Sequence, residues 1–219
     1  NEVFADVDIN EKELNLWLDP IAMLSMAKDI RNWLSENDPD KSEMYQDNWK
    51  NLEEELVTLD ASYQAFATKV QNANASVKFV SMTASFGNWQ KTYGIQAYPV
   101  ILSKYGALPT DNQLAVIKAR IVADNVKYID YEPNMSEDMR SLYEELKNEL
   151  GLQEVRLSNL SSLAEDEKAE GKDYISIMYE NLRVLETMVD VGVSAHDELV
   201  LDEAVVEEVV EETVEEVKE

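Results

Sequence analysis

The stretch KSEMYQDNWKNLEEELVTLDASYQAFATKVQNA, Lys41 to Ala73, decides the fold. Its large apolar residues on one pattern are Tyr45, Trp49, Leu52, Leu56, Leu59, Tyr63, Phe66 and Val70, separated by steps of four, three, four, three, four, three and four. An α-helix repeats about every 3.6 residues, so this spacing lays one apolar stripe along a single helix. Glu53, Glu54, Glu55, Asp60, Lys69 and Gln71 fall on the other faces. Asp38 and Pro39 suit the N-cap and the first helical position: Asp accepts orphan amide hydrogens and Pro lacks one. At about 1.5 Å per residue the helix reaches roughly 50 Å, longer than a small domain is wide. Such a helix joins two bodies or pairs with another helix. Its stripe packs on its own chain or in an intermolecular coiled coil.

Outward from this helix, composition narrows the function. The 219 residues suffice for one domain or two small ones, and a hydrophobic share of 45% supports a core. A net charge of −26 argues against nucleic acid and anionic membrane surfaces as partners. Part of that charge sits in a tail, Asp197–Glu219, with eleven acidic residues and one Lys. The absence of Cys excludes disulfides, thiolate metal sites and Cys nucleophiles. No apolar run approaches the roughly 20 residues of a membrane span. The first residue is Asn1, without a charged-then-apolar leader, which fits a processed product or a piece of a longer one.

Asn1–Leu14 is acidic and reads as loop. Asp6, Asp8 and Asn10 alternate as in a calcium loop, but Glu11 and Trp17 stand where that loop needs Gly and Glu. Asp19 and Pro20 open a helix to about Leu34, with Ile21, Leu24, Ile30, Trp33 and Leu34 as its buried face. Beyond the long helix the rhythm changes. Strands are expected at Val77–Met82, Ile95–Leu102, Val126–Tyr131 and Gln153–Leu157. Helices are expected at Phe86–Tyr93, closed by Gly94; from Pro109–Thr110, with a Thr110/Gln113 capping box; at Ser136–Leu150; and at Tyr174–Val189. Strands alternating with helices predict an α/β fold, a parallel four-strand sheet covered by helices on both faces. No GxGxxG or P-loop pattern accompanies a strand-to-helix turn, which argues against a nucleotide site. From Asp190 the chain is low in complexity, with Val and Glu pairs that suit disorder or a weak helix. The expected parts are an entry helix with a lobe remnant (residues 1–40), the long helix (41–74), an α/β lobe (75–190) and an acidic tail (191–219).

Several motifs in this order resemble the zinc/manganese solute-binding proteins of bacterial ABC transporters. They are Leu16-Trp17-Leu18-Asp19-Pro20, the Asn37–Asp40 turn, the long helix, SMTASFG at Ser81–Gly87, Tyr131-Glu132-Pro133 and GKDYISIMYENL at Gly171–Leu182. The resemblance runs from about Leu14 to Met188. It implies two α/β lobes joined by one long helix, with a metal held in the cleft. By it, Lys41–Ala73 is the connecting helix and Val77–Val189 the second lobe.

The same resemblance places the metal ligands. Zinc is held by imidazole nitrogens and a carboxylate, and manganese accepts more oxygen. One family His comes from the first lobe. The others fall on Asn15, on Thr83, and on Ser161, with Ser158 the other alignment. All are neutral and weak donors, so no intact family-type site is expected. Zinc or manganese binding is expected only if a first lobe supplies ligands. Glu132 matches a family carboxylate that is not carried over as a ligand. Trp17, Trp89 and Glu132 are expected to line the cleft. His196 is the only histidine and lies in the tail.

Two functions compete at this stage. The first is an extracytoplasmic solute-binding protein of a metal-type ABC transporter, secreted or surface-anchored, partial or divergent. Its partner is an ABC permease, and its cargo a neutral or organic solute in place of a bare cation. The second is a structural or interaction protein that reuses the fold and self-associates through Lys41–Ala73. With no Ser-His-Asp set, no Cys and no His in the body, catalysis is not expected.

Overall fold

The computed structural model describes residues 2–5, 15–133 and 135–191. The calcium-like run at Asp6–Asn10, His196 and most of the acidic tail lie outside the described residues. Glu2–Phe4 forms a short 3-10 turn where loop was expected.

A 3-10 turn at Leu16–Leu18 leads into helix α1, Pro20–Asn37. The Asp19 carboxylate accepts the Ile21 and Ala22 N–H groups at 2.9 and 3.0 Å, so the cap works as its position implies. The expected buried face of α1 does not form. Ile21, Ile30 and Trp33 are 47%, 60% and 62% exposed, and Pro20 is the only residue of the helix that is fully enclosed. The helix lies along α2 (Ser42–Asn72), and no second layer among the described residues covers its far side. Asp38 also differs from expectation. It precedes a 3-10 turn, Pro39–Lys41, without a side-chain cap bond. Its carboxylate takes Lys41 Nζ at 2.9 Å and Tyr45 OH at 3.0 Å instead.

The stripe of α2 packs on its own chain. Trp49, Leu56, Leu59, Tyr63 and Phe66 are buried, and Leu56, Leu59 and Tyr63 are fully so. The first half of the helix runs beside α1, and the second half packs on the sheet lobe through α3 (Gly87–Tyr93) and α7 (Tyr174–Thr187). Tyr63 OH donates to the Met178 carbonyl at 2.8 Å, a buried bond that ties α2 to α7.

Four parallel strands, β1 (Lys78–Thr83), β2 (Gln96–Ile101), β3 (Tyr128–Asp130) and β4 (Gln153–Val155), lie in the order β2-β1-β3-β4. Phe79 pairs with Ala97 on one side and Tyr128 on the other. The side-chain period of two then divides the core. Phe79 faces Tyr63, Phe86, Trp89, Met178 and Leu185, while Val80, Met82, Val100 and Ile129 face α4 (Asp111–Ala123) and α5 (Glu137–Glu149). Helices thus cover both faces. Gly94, at φ +74°, ends α3 in the left-handed conformation that lacks a Cβ penalty. A five-residue helix, α6 (Glu165–Ala169), was not expected.

The capping box of α4 forms: Gln113 N–H donates to Thr110 Oγ1 at 3.4 Å, and Thr110 N–H to Gln113 Oε1 at 2.9 Å. Thr110→Ala removes one partner and is expected to cost about 1 kcal/mol, read from the urea midpoint.

Candidate functional site

In this strand order the chain leaves β1 toward β2 on one side and leaves β3 toward β4 on the other, so the connections part at the carboxyl ends of β1 and β3. Open α/β sheets bind ligands at such a crevice. A pocket of about 320 Å³ opens there, walled by Thr83, Ser85, Glu132, Pro133, Met135, Met139, Leu157, Ser158, Asn159 and Ser161, with Arg156 and Glu167 also on its lining. The end of β1, the residues just after β3, and the segment between β4 and α6 supply most of this wall, with Met139 from α5 and Glu167 from α6.

Glu132 is 7% exposed, the least exposed polar residue on the lining. Its Oε1 accepts Thr83 N–H at 2.9 Å, and Thr83 Oγ1 lies 3.1 and 3.0 Å from the two carboxylate oxygens. Asn159 Nδ2 donates to Oε2 at 3.3 Å. Burial pushes the Glu132 carboxyl up from its ordinary value, and the Thr83 hydrogen bonds pull partly against it. Asp130, fully enclosed at the end of β3 two residues before Glu132, is pushed well up by burial; the nearby Glu132 charge adds to this, and the Leu157 N–H at 2.7 Å opposes it. Its second oxygen, Oδ2, is buried without a hydrogen-bond partner.

Of the residues singled out in the sequence, Thr83, Ser161, Ser158 and Glu132 line this pocket. Asn15 is not on the lining: its Nδ2 donates to the Ala84 carbonyl just past β1 at 3.5 Å, and its backbone carbonyl accepts from Asn88 Nδ2 at 3.3 Å. Trp17 lies behind the wall, with Nε1 donating to the Asn159 carbonyl at 2.9 Å. Trp89 is not at the cleft. It is fully buried against Tyr63 and Phe86, and its Nε1 donates to the Leu18 carbonyl at 2.9 Å. A Trp close to a ligand motif is as easily core as wall, and here the core claims it. Asn159 and Asp130 were missed, because nothing local in LSNL or YIDYEP distinguishes them. Among the described residues no group of three or more His, Cys, Asp or Glu converges as a metal site.

A family model described as the periplasmic zinc-uptake complex component A matches residues 6–188. The chain belongs to this family. It is 28% identical over 181 residues to the zinc-binding lipoprotein AdcA of Streptococcus pneumoniae, covering 83% of this chain and 35% of AdcA. It is 29% identical over 171 residues to the high-affinity zinc uptake system protein ZnuA of Bacillus subtilis, covering 78% of this chain and 51% of ZnuA. The solved metal-dependent lipoprotein YcdH of Bacillus subtilis superposes with a TM-score of 0.64 at 27% identity, over 85% of this chain and 69% of YcdH. This member of the zinc-uptake component A family therefore spans about a third of AdcA and half of ZnuA. Its α/β fold, a parallel four-strand sheet flanked by helices, is that of the family. No helix among its described residues is long and apolar enough to cross a membrane.

Proposed function

We propose that this chain is the solute-binding lobe of an extracytoplasmic ABC uptake system of the metal type, acting with a permease, whose cargo is no longer a bare transition-metal cation. The pocket at the ends of β1 and β3 carries the reading. It stands where the fold takes ligands, yet the positions that the resemblance makes ligands are the hydroxyls Thr83 and Ser161 and the amide Asn15. Neutral hydroxyls and amides bind zinc weakly beside imidazole or carboxylate. The pocket's least exposed carboxylate, Glu132, is already engaged by Thr83 and Asn159. A wall of hydroxyls facing Met135, Met139 and Leu157 suits a small organic solute with one polar and one apolar side. Native mass spectrometry of the protein purified from its source tests this. The protein without a stoichiometric metal adduct, alone or with an organic adduct, is the expected result; a stoichiometric zinc or manganese adduct overturns it.

A second reading, an interaction protein, is favoured by one observation, the exposed apolar side chains Ile30 and Trp33, which fall three residues apart on one side of α1. Association would use that face and not the α2 stripe, where Leu56 is fully buried. Sedimentation velocity at rising concentration checks it: association lost in Trp33→Glu supports it, and a monomer throughout excludes it.

A further inference from the structure

Three segments of the pocket meet through a single carboxylate. Glu132 takes Thr83 N–H and Thr83 Oγ1 from the end of β1, 49 residues away in sequence. It takes Asn159 Nδ2 from the segment after β4, 27 residues away. Asn159 extends the connection in two directions. Its Oδ1 accepts Ser161 N–H at 3.0 Å, and its carbonyl accepts Trp17 Nε1 at 2.9 Å. Thr83 and Ser161 thus share one network, and Trp17 ties to it the segment that carries Asn15.

The polarity of this network is the opposite of a metal site. A cation gathers lone pairs, whereas Glu132 gathers hydrogens. Thr83 Oγ1 has one proton and directs it to Glu132, so in its 2.7 Å contact with Ser85 Oγ the Ser85 hydroxyl is the donor. Ser85 then donates to Thr83 and Thr83 to Glu132, a chain that runs inward and ends on the accepting carboxylate. Hydrogen bonds to an ionised carboxylate are about twice as strong as neutral ones, and burial strengthens them further.

We propose that Glu132 is the positioning residue of this pocket: its carboxylate is the built-in cross-link that holds the β1 end, the Ser158–Ser161 segment and the Asn15–Trp17 segment in register. The choice of these three segments rests on the solute-binding reading above; the cross-link itself rests on the hydrogen bonds. It makes the pocket preformed without a cation and presents its walls to an incoming solute as already paired groups.

Amide hydrogen exchange by NMR on the full chain tests it with two variants. Glu132→Ala is expected to raise exchange at Thr83 and Ser161 by about tenfold while Leu146, in the core of α5, is unchanged. Glu132→Gln is nearly isosteric and keeps a carbonyl for Thr83 N–H, but sets its own NH2 against that of Asn159. Thr83 is therefore expected to stay protected in Glu132→Gln while Ser161 is released. A merely space-filling role would not split the two amides. Unchanged exchange at both, or an equal rise at Thr83, Ser161 and Leu146 in Glu132→Gln, overturns the proposal. Zinc added to the wild type separates the two ideas. Tight binding alongside the split removes the altered-cargo reading and leaves the cross-link; no binding without the split does the reverse.

Discussion

Trp89→Ala is expected to destabilise the protein by about 4 kcal/mol, measured as the loss of unfolding free energy in urea. Trp89 is fully buried and is packed 5.9 Å from Tyr63 and 4.9 Å from Phe86, ring centre to ring centre. Its removal empties a large volume between α2, α3 and β1 that the neighbouring rings can only partly fill. It also orphans the Leu18 carbonyl, which now takes the indole N–H at 2.9 Å and anchors the Leu16–Leu18 turn to the lobe. Trp89→Phe keeps most of the packing and loses the bond, with an expected cost of about 2 kcal/mol. A cleft-lining Trp would behave otherwise, leaving stability nearly intact and changing solute binding. A loss below about 1 kcal/mol for Trp89→Ala would place the side chain outside the core.

Asp130→Asn is expected to flatten the dependence of stability on pH. The folded Asp130 carboxyl lies well above its ordinary value because burial disfavours the charge, and Oδ2 has no partner to offset this. The folded state therefore holds a proton that the unfolded chain releases near pH 3.9. The stabilising contribution is fully present below that pH, falls by up to about 1.4 kcal/mol per pH unit above it, and is lost once the pH passes the folded value. Glu132, Asp60 and Glu186 are raised in the same direction by burial, so part of the slope survives the substitution. Urea unfolding between pH 5 and pH 8 checks the sign. A wild type that gains stability over this range, or a variant with an unaltered slope, contradicts it.

The two substitutions mark where sequence reading succeeds and stops. The α2 stripe is legible because a helix places every third or fourth residue on one face, and Leu56, Leu59 and Tyr63 are indeed sealed. Strand and helix order is legible from short apolar runs and from caps such as Asp19, Thr110 and Gly94, whose chemistry is local. The α1 face is not legible. Ile30 and Trp33 carry the right spacing, but periodicity reports a face without reporting what covers it. The short α6 escapes because five polar-rich residues have no period to read. At the pocket, Thr83 and Ser161 are found through motif order. The hydrogen bonds from Thr83 and Asn159 to Glu132 join residues dozens apart, which the parallel pairing of β3 with β1 on one side and β4 on the other brings together. Asp130 looks like any polar residue at a strand end; its enclosure is a property of the packed lobe.

Isothermal titration of zinc into the metal-stripped wild-type chain tests the proposed replacement of the metal ligands by neutral groups. No saturable heat corresponding to a Kd tighter than about 10 μM, or ~7 kcal/mol of binding free energy, is expected. A one-to-one isotherm in the nanomolar range would contradict it and would mean that this chain assembles a metal site from residues other than Asn15, Thr83 and Ser161.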